Sequence, residues 1–265
     1  MGDEFKNAVV LVTGGSSGIG RCVAELFARE GAHVAVCGHE QEGVDATVRA
    51  LEAMGADALG VVADVSSDVA MERLCEQVVA RWGGIDVLVT AAGIQRYGTA
   101  ADTTEAEWDL VVDVNLKGAF LATRHAMPHL RARRGAIVII SSVQAFASQT
   151  SVSAYAVSKA GLNALARSIA LDEAHHGVRA NAVCPGSVDT PMLRSSARRF
   201  SDGTASGERE TLASWGKVHP LGRVADPTEV AEAVAFLAGP RSSFVSGVAL
   251  AVDGGLLAAL PVPLP

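Results

Sequence analysis

Short runs of consecutive apolar residues alternate along this chain with longer stretches in which apolar positions recur every three or four residues. Seven of the short runs read as strands: Val9–Thr13, His33–Cys37, Leu59–Val62, Val87–Thr90, Ala136–Ile140, Arg179–Val183 and Val248–Val252. They are apolar throughout rather than alternating, the pattern of strands covered on both faces in a parallel sheet. The longer stretches predict helices over roughly Gly18–Glu30, Val44–Met54, Asp68–Trp82, Glu105–Arg133, Ala154–His175 and Pro227–Ala238. The last carries its own start signal, with Asp226 as N-cap, Pro227 at the first helical position and Glu229 closing a capping box. Strand–helix alternation sustained over the whole chain predicts an α/β fold, a doubly wound, seven-stranded parallel sheet with helices on both faces and right-handed crossovers.

One stretch breaks the rhythm. From Ser187 to Pro220 the chain is richer in Ser, Arg and Gly than its surroundings, and a connection of that length is a functional lid or a disordered insertion. No repeat, interdomain linker or low-complexity block is present, so residues 1–265 read as a single domain with a lid at about 187–220.

Composition narrows the class. Hydrophobic residues make up 49% and charged residues 19%, which excludes a disordered chain. A net charge of −7 argues against a nucleic-acid partner. The one dense basic cluster, Arg131, Arg133 and Arg134, precedes Gly135 at a predicted helix end, where it would complement the last carbonyls. Cys22, Cys37, Cys75 and Cys184 form no C-x-x-C pair and read as small buried hydrophobes, not as ligands or disulfides. The opening Met1–Asn7 is polar, and no apolar run approaches the ~20 residues needed to span a bilayer. A cytoplasmic protein with no membrane partner is expected.

Chemistry enters after the first strand. Thr13-Gly14-Gly15-Ser16-Ser17-Gly18-Ile19-Gly20 leads straight into an amphipathic helix. Gly14 permits the tight turn, Gly18 lets the backbone approach a pyrophosphate, and Gly20 allows close helix–strand packing. The helix N-terminus then offers unpaired N–H groups and a positive dipole to the phosphates. No Gly-Lys-Ser/Thr follows, which excludes a nucleoside-triphosphate loop.

The glycine spacing is G-x-x-x-G-x-G, and here the chain resembles the short-chain dehydrogenase/reductase family in its short single-domain branch, a Rossmann-like fold. The resemblance runs from Val9 to about Gly255 and is carried by an ordered series: Asp64-Val65, Ala91-Ala92-Gly93, Asn115, Ser142, Tyr155-x-x-x-Lys159, and Pro185-Gly186 with Thr190. It implies NAD(P) as cofactor. Asp64 would bond the adenine with Val65 beside it, Ala92 and Gly93 would line the cofactor, and Ile94 would lie near the nicotinamide. Pro185, Gly186, Val188 and Thr190 would hold the carboxamide. Where the family usually has Asn-Asn-Ala-Gly, this chain has Thr90-Ala91-Ala92-Gly93, losing a side-chain amide that braces the sheet.

The choice between NAD and NADP turns on the end of the second strand, where an acid would bond both ribose hydroxyls and repel a 2′-phosphate. The usual acid position is Gly38 in Cys37-Gly38-His39-Glu40, and His39 stands where NADP users often carry Arg. That favours NADP. Ser17 at the second basic position and the nearby charge of Glu40 point the other way, and His39 reads equally well as a solvated loop residue. The cofactor-contacting set is therefore Gly14, Ser16, Ser17, Gly18, Ile19, Gly20, Gly38, His39, Asp64, Val65, Ala92, Gly93, Tyr155, Lys159, Pro185, Gly186, Val188 and Thr190.

Tyr155 and Lys159, four apart on a helix, project from one face. A phenol titrates near pH ~10, and an ammonium held close favours the phenolate. Tyr155 would then act as general base toward an alcohol or general acid toward a carbonyl. The resemblance adds that Lys159 bonds the nicotinamide ribose, that Ser142 donates to the substrate oxygen, and that Asn115 bends its helix and positions a water leading protons from Lys159 to solvent. A packing amide is the plainer reading of Asn115. His125 and His129 lack convergent carboxylate or cysteine spacing and read as a solvated helix face, and no metal site is expected. His175-His176-Gly177 reads as a glycine-capped helix end.

The reaction expected is interconversion of a secondary alcohol and a carbonyl on a small substrate, either a sugar, a polyol or a keto compound. Gln95, Gln144, Phe146 and Ser187 are the expected substrate contacts, with Arg96 and Tyr97 also within reach after the fourth strand. A catalytically silent dinucleotide-binding or regulatory protein is the alternative. The family forms dimers and tetramers through two long central helices, and the apolar tail Leu256–Pro265 suits packing on a neighbouring subunit.

Overall fold

The computed structural model describes residues 4–259. Its centre is one sheet of seven parallel strands: β1 (Val9–Thr13), β2 (His33–Gly38), β3 (Ala58–Val62), β4 (Val87–Thr90), β5 (Ala136–Ile140), β6 (Arg179–Pro185) and β7 (Ala249–Val252). Their spatial order is β3-β2-β1-β4-β5-β6-β7, with every neighbouring pair parallel. Strands β1, β4 and β5 are buried at every position, as their unbroken apolar runs require.

Helices cover both faces. On one lie α1 (Gly18–Arg29), α2 (Gln41–Ala53) and α9 (Pro227–Ala238), packing Val23, Phe27, Leu51, Val230 and Val234 against the sheet. On the other lie α3 (Asp68–Trp82), the pair α4 (Glu105–Val112) and α5 (Gly118–Arg133), and α6 (Ser153–Asp172), where Leu74, Val78, Leu130, Leu162 and Ile169 form the second half of the core. The expected start of α9 is present: Thr228 N–H donates to Asp226 at 2.9 Å and Asp226 N–H to Glu229 at 2.8 Å. Strand order reverses between β1 and β4, and at such a switch point the carboxyl ends of the strands leave a crevice.

Three expectations change. The single helix expected over Glu105–Arg133 is two, joined by a π-helical turn at Asp113–Lys117. The 187–220 segment is neither structureless nor disordered. It folds as α7 (Pro191–Phe200) and α8 (Ala205–Gly216), capped by Thr190 and Thr204. In the basic cluster, Arg131 grips Glu173 with two bonds of 2.6 and 2.7 Å rather than helix carbonyls, and Arg134 itself takes the left-handed cap conformation at φ 53°. Gly177 caps its helix end at φ 77°, as read. Cys37, Cys75 and Cys184 are buried and Cys22 half-buried, all as free thiols. Among the described residues no helix is long and apolar enough to cross a membrane. Part of the apolar tail, 260–265, lies outside the described residues.

Candidate active site

A cleft of about 1040 Å³ opens at the carboxyl ends of the strands. Its chemistry begins where β5 stops. Ser142 follows Ile140 and Ser141, caps the short 3-10 turn Val143–Ala145, and accepts a hydrogen bond from Gln144 N–H at 3.1 Å. That bond orients Ser142 Oγ and leaves its own proton to donate. Tyr155 sits in the first turn of α6 and Lys159 one turn later, both buried. Helix α6 is laced to the end of β5 in both directions. Ser141 Oγ donates to Lys159 O at 3.0 Å, and Lys159 Nζ donates to Ile140 O at 2.9 Å. Lys159 Nζ lies 5.5 Å from the centre of the Tyr155 ring.

Burial dominates the electrostatics of the pair. It pushes the Tyr155 phenol up to about 12, against a smaller downward pull from its hydrogen bond with Ser142. It brings the Lys159 ammonium down to about 8. With the lysine ammonium turned to Ile140 O, burial is the largest influence on each of the two groups.

Asn115 stands behind the cleft rather than in its wall, on the π turn. Its Oδ1 accepts from Ile94 N–H at 2.8 Å, and its Nδ2 donates to Ile94 O at 3.0 Å and to Ser158 Oγ at 3.0 Å. Ser158 in turn donates to Tyr155 O at 2.7 Å. One buried amide thus ties the loop after β4, the π turn and α6 together. π turns inside helices commonly mark functional sites, and this one turns the amide inward.

The expected cofactor residues line one continuous wall: the Gly14–Gly20 loop with Ser16, Ser17 and Ile19, then Gly38 and His39, Asp64 and Val65, Ala92 and Gly93, and Pro185, Gly186, Val188 and Thr190. The wall fits a dinucleotide on its own geometry. Gly14 has φ +67°, and a Cβ there would come within 2.5 Å of Ala92 N, so the two loops meet backbone to backbone. No side chain caps the start of α1, which leaves its first N–H groups for phosphate. A Cβ on Gly38 would collide with the Ser16 hydroxyl, so no acid is tolerated there without moving that loop. The His39 side chain is 80% exposed, 3.4 Å from Glu40. Asp64 accepts from Ser66 N–H at 2.9 Å and Ser66 Oγ at 2.7 Å.

On the substrate side, Gln95, Gln144 and Ser187 line the cleft. Phe146 is not among the lining residues and is 53% exposed, although Ala147, Ser148 and Gln149 just after it line the cleft. The residues that sequence reasoning missed come from the lid. Ser196 accepts from Tyr97 OH at 2.7 Å, and Trp215 lines the cleft beyond it. Phe200 packs edge-on to Tyr97 at 4.8 Å and lies 6.4 Å from Trp215. Thr190-Pro191, an N-cap followed by Pro, was the available signal for the first lid helix. His125, expected on a solvated face, is partly covered and meets Asp68 at 2.8 Å.

A parallel doubly wound sheet, a glycine-built wall at its switch point and a buried Ser–Tyr–Lys group beside it define a dinucleotide-dependent oxidoreductase. The family model described as "Enoyl-(Acyl carrier protein) reductase" matches residues 14–257. The cis-4-hydroxycyclohexanecarboxylate dehydrogenase of Sinomonas cyclohexanicum is 41% identical over 97% of this chain and 100% of its own. The 3beta-hydroxysteroid dehydrogenase 1 of Eggerthella lenta is 38% identical over 97% of this chain and 96% of its own. The solved aldohexose dehydrogenase of Thermoplasma acidophilum superposes with a TM-score of 0.92 at 37% identity, covering 100% of both chains. The chain belongs to the short-chain dehydrogenase/reductase family, and is an NAD(P)-dependent oxidoreductase acting on CH–OH groups.

Proposed function

We propose that this enzyme interconverts a secondary alcohol and a ketone on a small, ring-shaped, hydroxylated substrate, with Tyr155 as general acid/base. The observation that carries the reading is that the buried Ser142, Tyr155 and Lys159 side chains line one cleft, with Lys159 Nζ 5.5 Å from the Tyr155 ring centre. When bound, the nicotinamide gives or takes the hydride. Ser142, held by Gln144 N–H, directs its proton at the substrate oxygen and stabilises negative charge as it develops there. Tyr155, pushed up to about 12, keeps its proton at neutral pH and is set to deliver it to a carbonyl. In the oxidative direction it needs positive charge beside it, which Lys159 supplies when its ammonium turns from Ile140 O toward the ring. Asn115 holds this helix and the loop at Ile94 in register.

Pro185, Gly186, Val188 and Thr190 would hold the carboxamide end of the cofactor, Gly14–Gly20 the pyrophosphate, and Asp64 with Val65 the adenine. With no room for an acid at position 38 and His39 next to it, the ribose end favours NADP. On the substrate side, Gln95, Gln144 and Gln149 bring amides to walls built of Met192, Leu193 and Trp215. Apolar walls with a few polar groups suit a ring bearing hydroxyls, such as a sugar or cyclic polyol. The three relatives above are named for a hydroxycyclohexanecarboxylate, a hydroxysteroid and an aldohexose, each with its oxygen on or about a ring.

A panel of sugars, cyclic polyols and cyclic ketones with NAD and NADP, followed at the nicotinamide absorbance, tests this. At least one ring substrate turns over, and Tyr155→Phe lowers kcat by about 10³-fold with cofactor binding retained. Normal turnover by that variant rejects the mechanism. Cofactor binding without turnover on a wide panel would return the silent binding protein to favour.

A further inference from the structure

The two-helix lid leaves the sheet at the end of β6 and returns just before α9, and its neck is tied by three hydrogen-bonded links. Two are backbone bonds: Ala225 N–H donates to Ser187 O at 2.9 Å, and Asp189 N–H donates to Ala225 O at 2.9 Å. The third is a buried histidine side chain outside the Ser142, Tyr155 and Lys159 group. His219, on the returning arm, is 3% exposed and has both ring nitrogens engaged. Its Nδ1 lies 2.6 Å from Asp253 O, just beyond β7, and its Nε2 accepts from Ser187 N–H at 3.4 Å.

The chemistry of the partners settles the tautomer. A carbonyl oxygen only accepts, so Nδ1 carries the proton, and Nε2 is left with a lone pair facing Ser187 N–H. The ring also explains a glycine. A Cβ on Gly186 would come 2.6 Å from His219 Cε1 and 3.1 Å from Nδ1, so the bare backbone at 186 is what lets the imidazole reach Ser187.

We propose that His219 is a positioning residue for cofactor binding. It is a strut that clamps the turn Pro185–Val188 to the end of β7 from the returning arm of the lid. Through it, affinity for the nicotinamide end depends on the lid being seated. This rests on the proposed role of that turn in holding the carboxamide. The ring itself stays outside the catalytic group and acts through Ser187.

Two substitutions separate the two bonds. His219→Gln reaches far enough to offer an acceptor at the Nε2 position, whereas His219→Asn keeps only a donor near Nδ1. Cofactor affinity is read by quenching of intrinsic Trp fluorescence on adding NADPH or NADH, and stability by thermal unfolding without either. His219→Asn is expected to weaken binding roughly tenfold, while His219→Gln stays within about threefold of the parent. A merely structural residue would lower the unfolding temperature in both variants with no difference in affinity, and that result overturns the proposal. Should neither variant fold, the unsubstituted protein still decides. Its 15N-labelled histidine spectrum is expected to show His219 as the Nδ1–H tautomer with a resonance that moves on adding NADPH. An Nε2–H tautomer, or no response to bound nucleotide, overturns the strut. Failure of the unsubstituted protein to bind either dinucleotide would instead reject the cofactor reading, with the tautomer measured independently.

Discussion

At the scale of single residues, the catalytic group is a place where stability is given up. Lys159 folds with its ammonium down at about 8, because burial takes it out of water, and among the described residues its ammonium donates only to the Ile140 carbonyl. Between pH 8 and its ordinary value of 10.5 the unfolded chain holds a proton that the folded chain has released, so raising the pH through this window stabilises the fold. Below pH 8 both states are protonated and the penalty is constant. Lys159→Met, which cannot titrate, is therefore expected to lose its advantage over the parent as pH rises. Urea unfolding between pH 8 and 10 should show the gap closing by about 1.4 kcal/mol per unit at most. A gap independent of pH would mean the ammonium is better solvated than its burial implies. His39 offers a second residue-scale test. With Ser16 against Gly38, an acid is accommodated only at the neighbouring exposed position, so His39→Asp should raise the NAD-to-NADP ratio of kcat/KM by about tenfold. An unchanged ratio would show that this side chain does not read the ribose.

At the scale of elements, much of the fold could be read before any coordinates, and the exceptions have physical causes. Strands β1, β4 and β5 stand where their apolar runs end, because a strand covered on both faces cannot continue into polar sequence. Strand β6 runs on through Pro185, a residue that reads as a terminator yet pairs with Val252 of β7. The break between α4 and α5 was invisible to periodicity, since a π turn adds one residue without changing composition. It is recorded only in Asn115, whose three hydrogen bonds reach partners 21 and 43 residues away in sequence. The lid helices were missed for a similar reason. Phe200 of α7 packs on Tyr97, far upstream, and Trp215 of α8 on Phe200, contacts that local periodicity does not report, and the cap at Thr204 stood among polar residues. Sequence proximity to Ser142 did not distinguish Phe146, which is 53% exposed, from its neighbours Gln144 and Ala147, which line the cleft. The π turn yields an element-scale prediction. Asn115→Ala strands the Ile94 backbone groups and Ser158 in the interior, and should cost about 2–4 kcal/mol in urea unfolding while lowering kcat at saturating substrate. Loss of stability with unchanged kcat would reduce Asn115 to packing.

At the scale of the whole molecule, the sheet's switch point places the wall proposed for the cofactor, the end of β5 places Ser142, and residues of α7 and α8 line the same cleft. What the monomer leaves unexplained is its outer apolar surface. Phe120 on α5 and Val157 on α6 are about half exposed, while Leu171 at the end of α6 is 79% exposed and Phe244 is 103% exposed. Scattered apolar residues are ordinary on any surface, but a fully exposed Phe beside the strand β7 and a Leu on a long helix are unfavourable in water by roughly 1.5–3 kcal/mol each relative to burial. Both would be covered by a second copy of the chain, as would the α5–α6 face. Light scattering should therefore give a mass at two or four times that of one chain. A double substitution, Leu171→Glu with Phe244→Glu, should lower that mass without altering the far-ultraviolet dichroism of the fold. Because the lid and the catalytic helix α6 belong to the same body as these positions, the dissociated form should also lose part of its activity, chiefly through a raised KM. A monomeric parent protein, or a double variant that keeps its mass, would show that these side chains are simply solvent-exposed and that each subunit's cleft is complete alone.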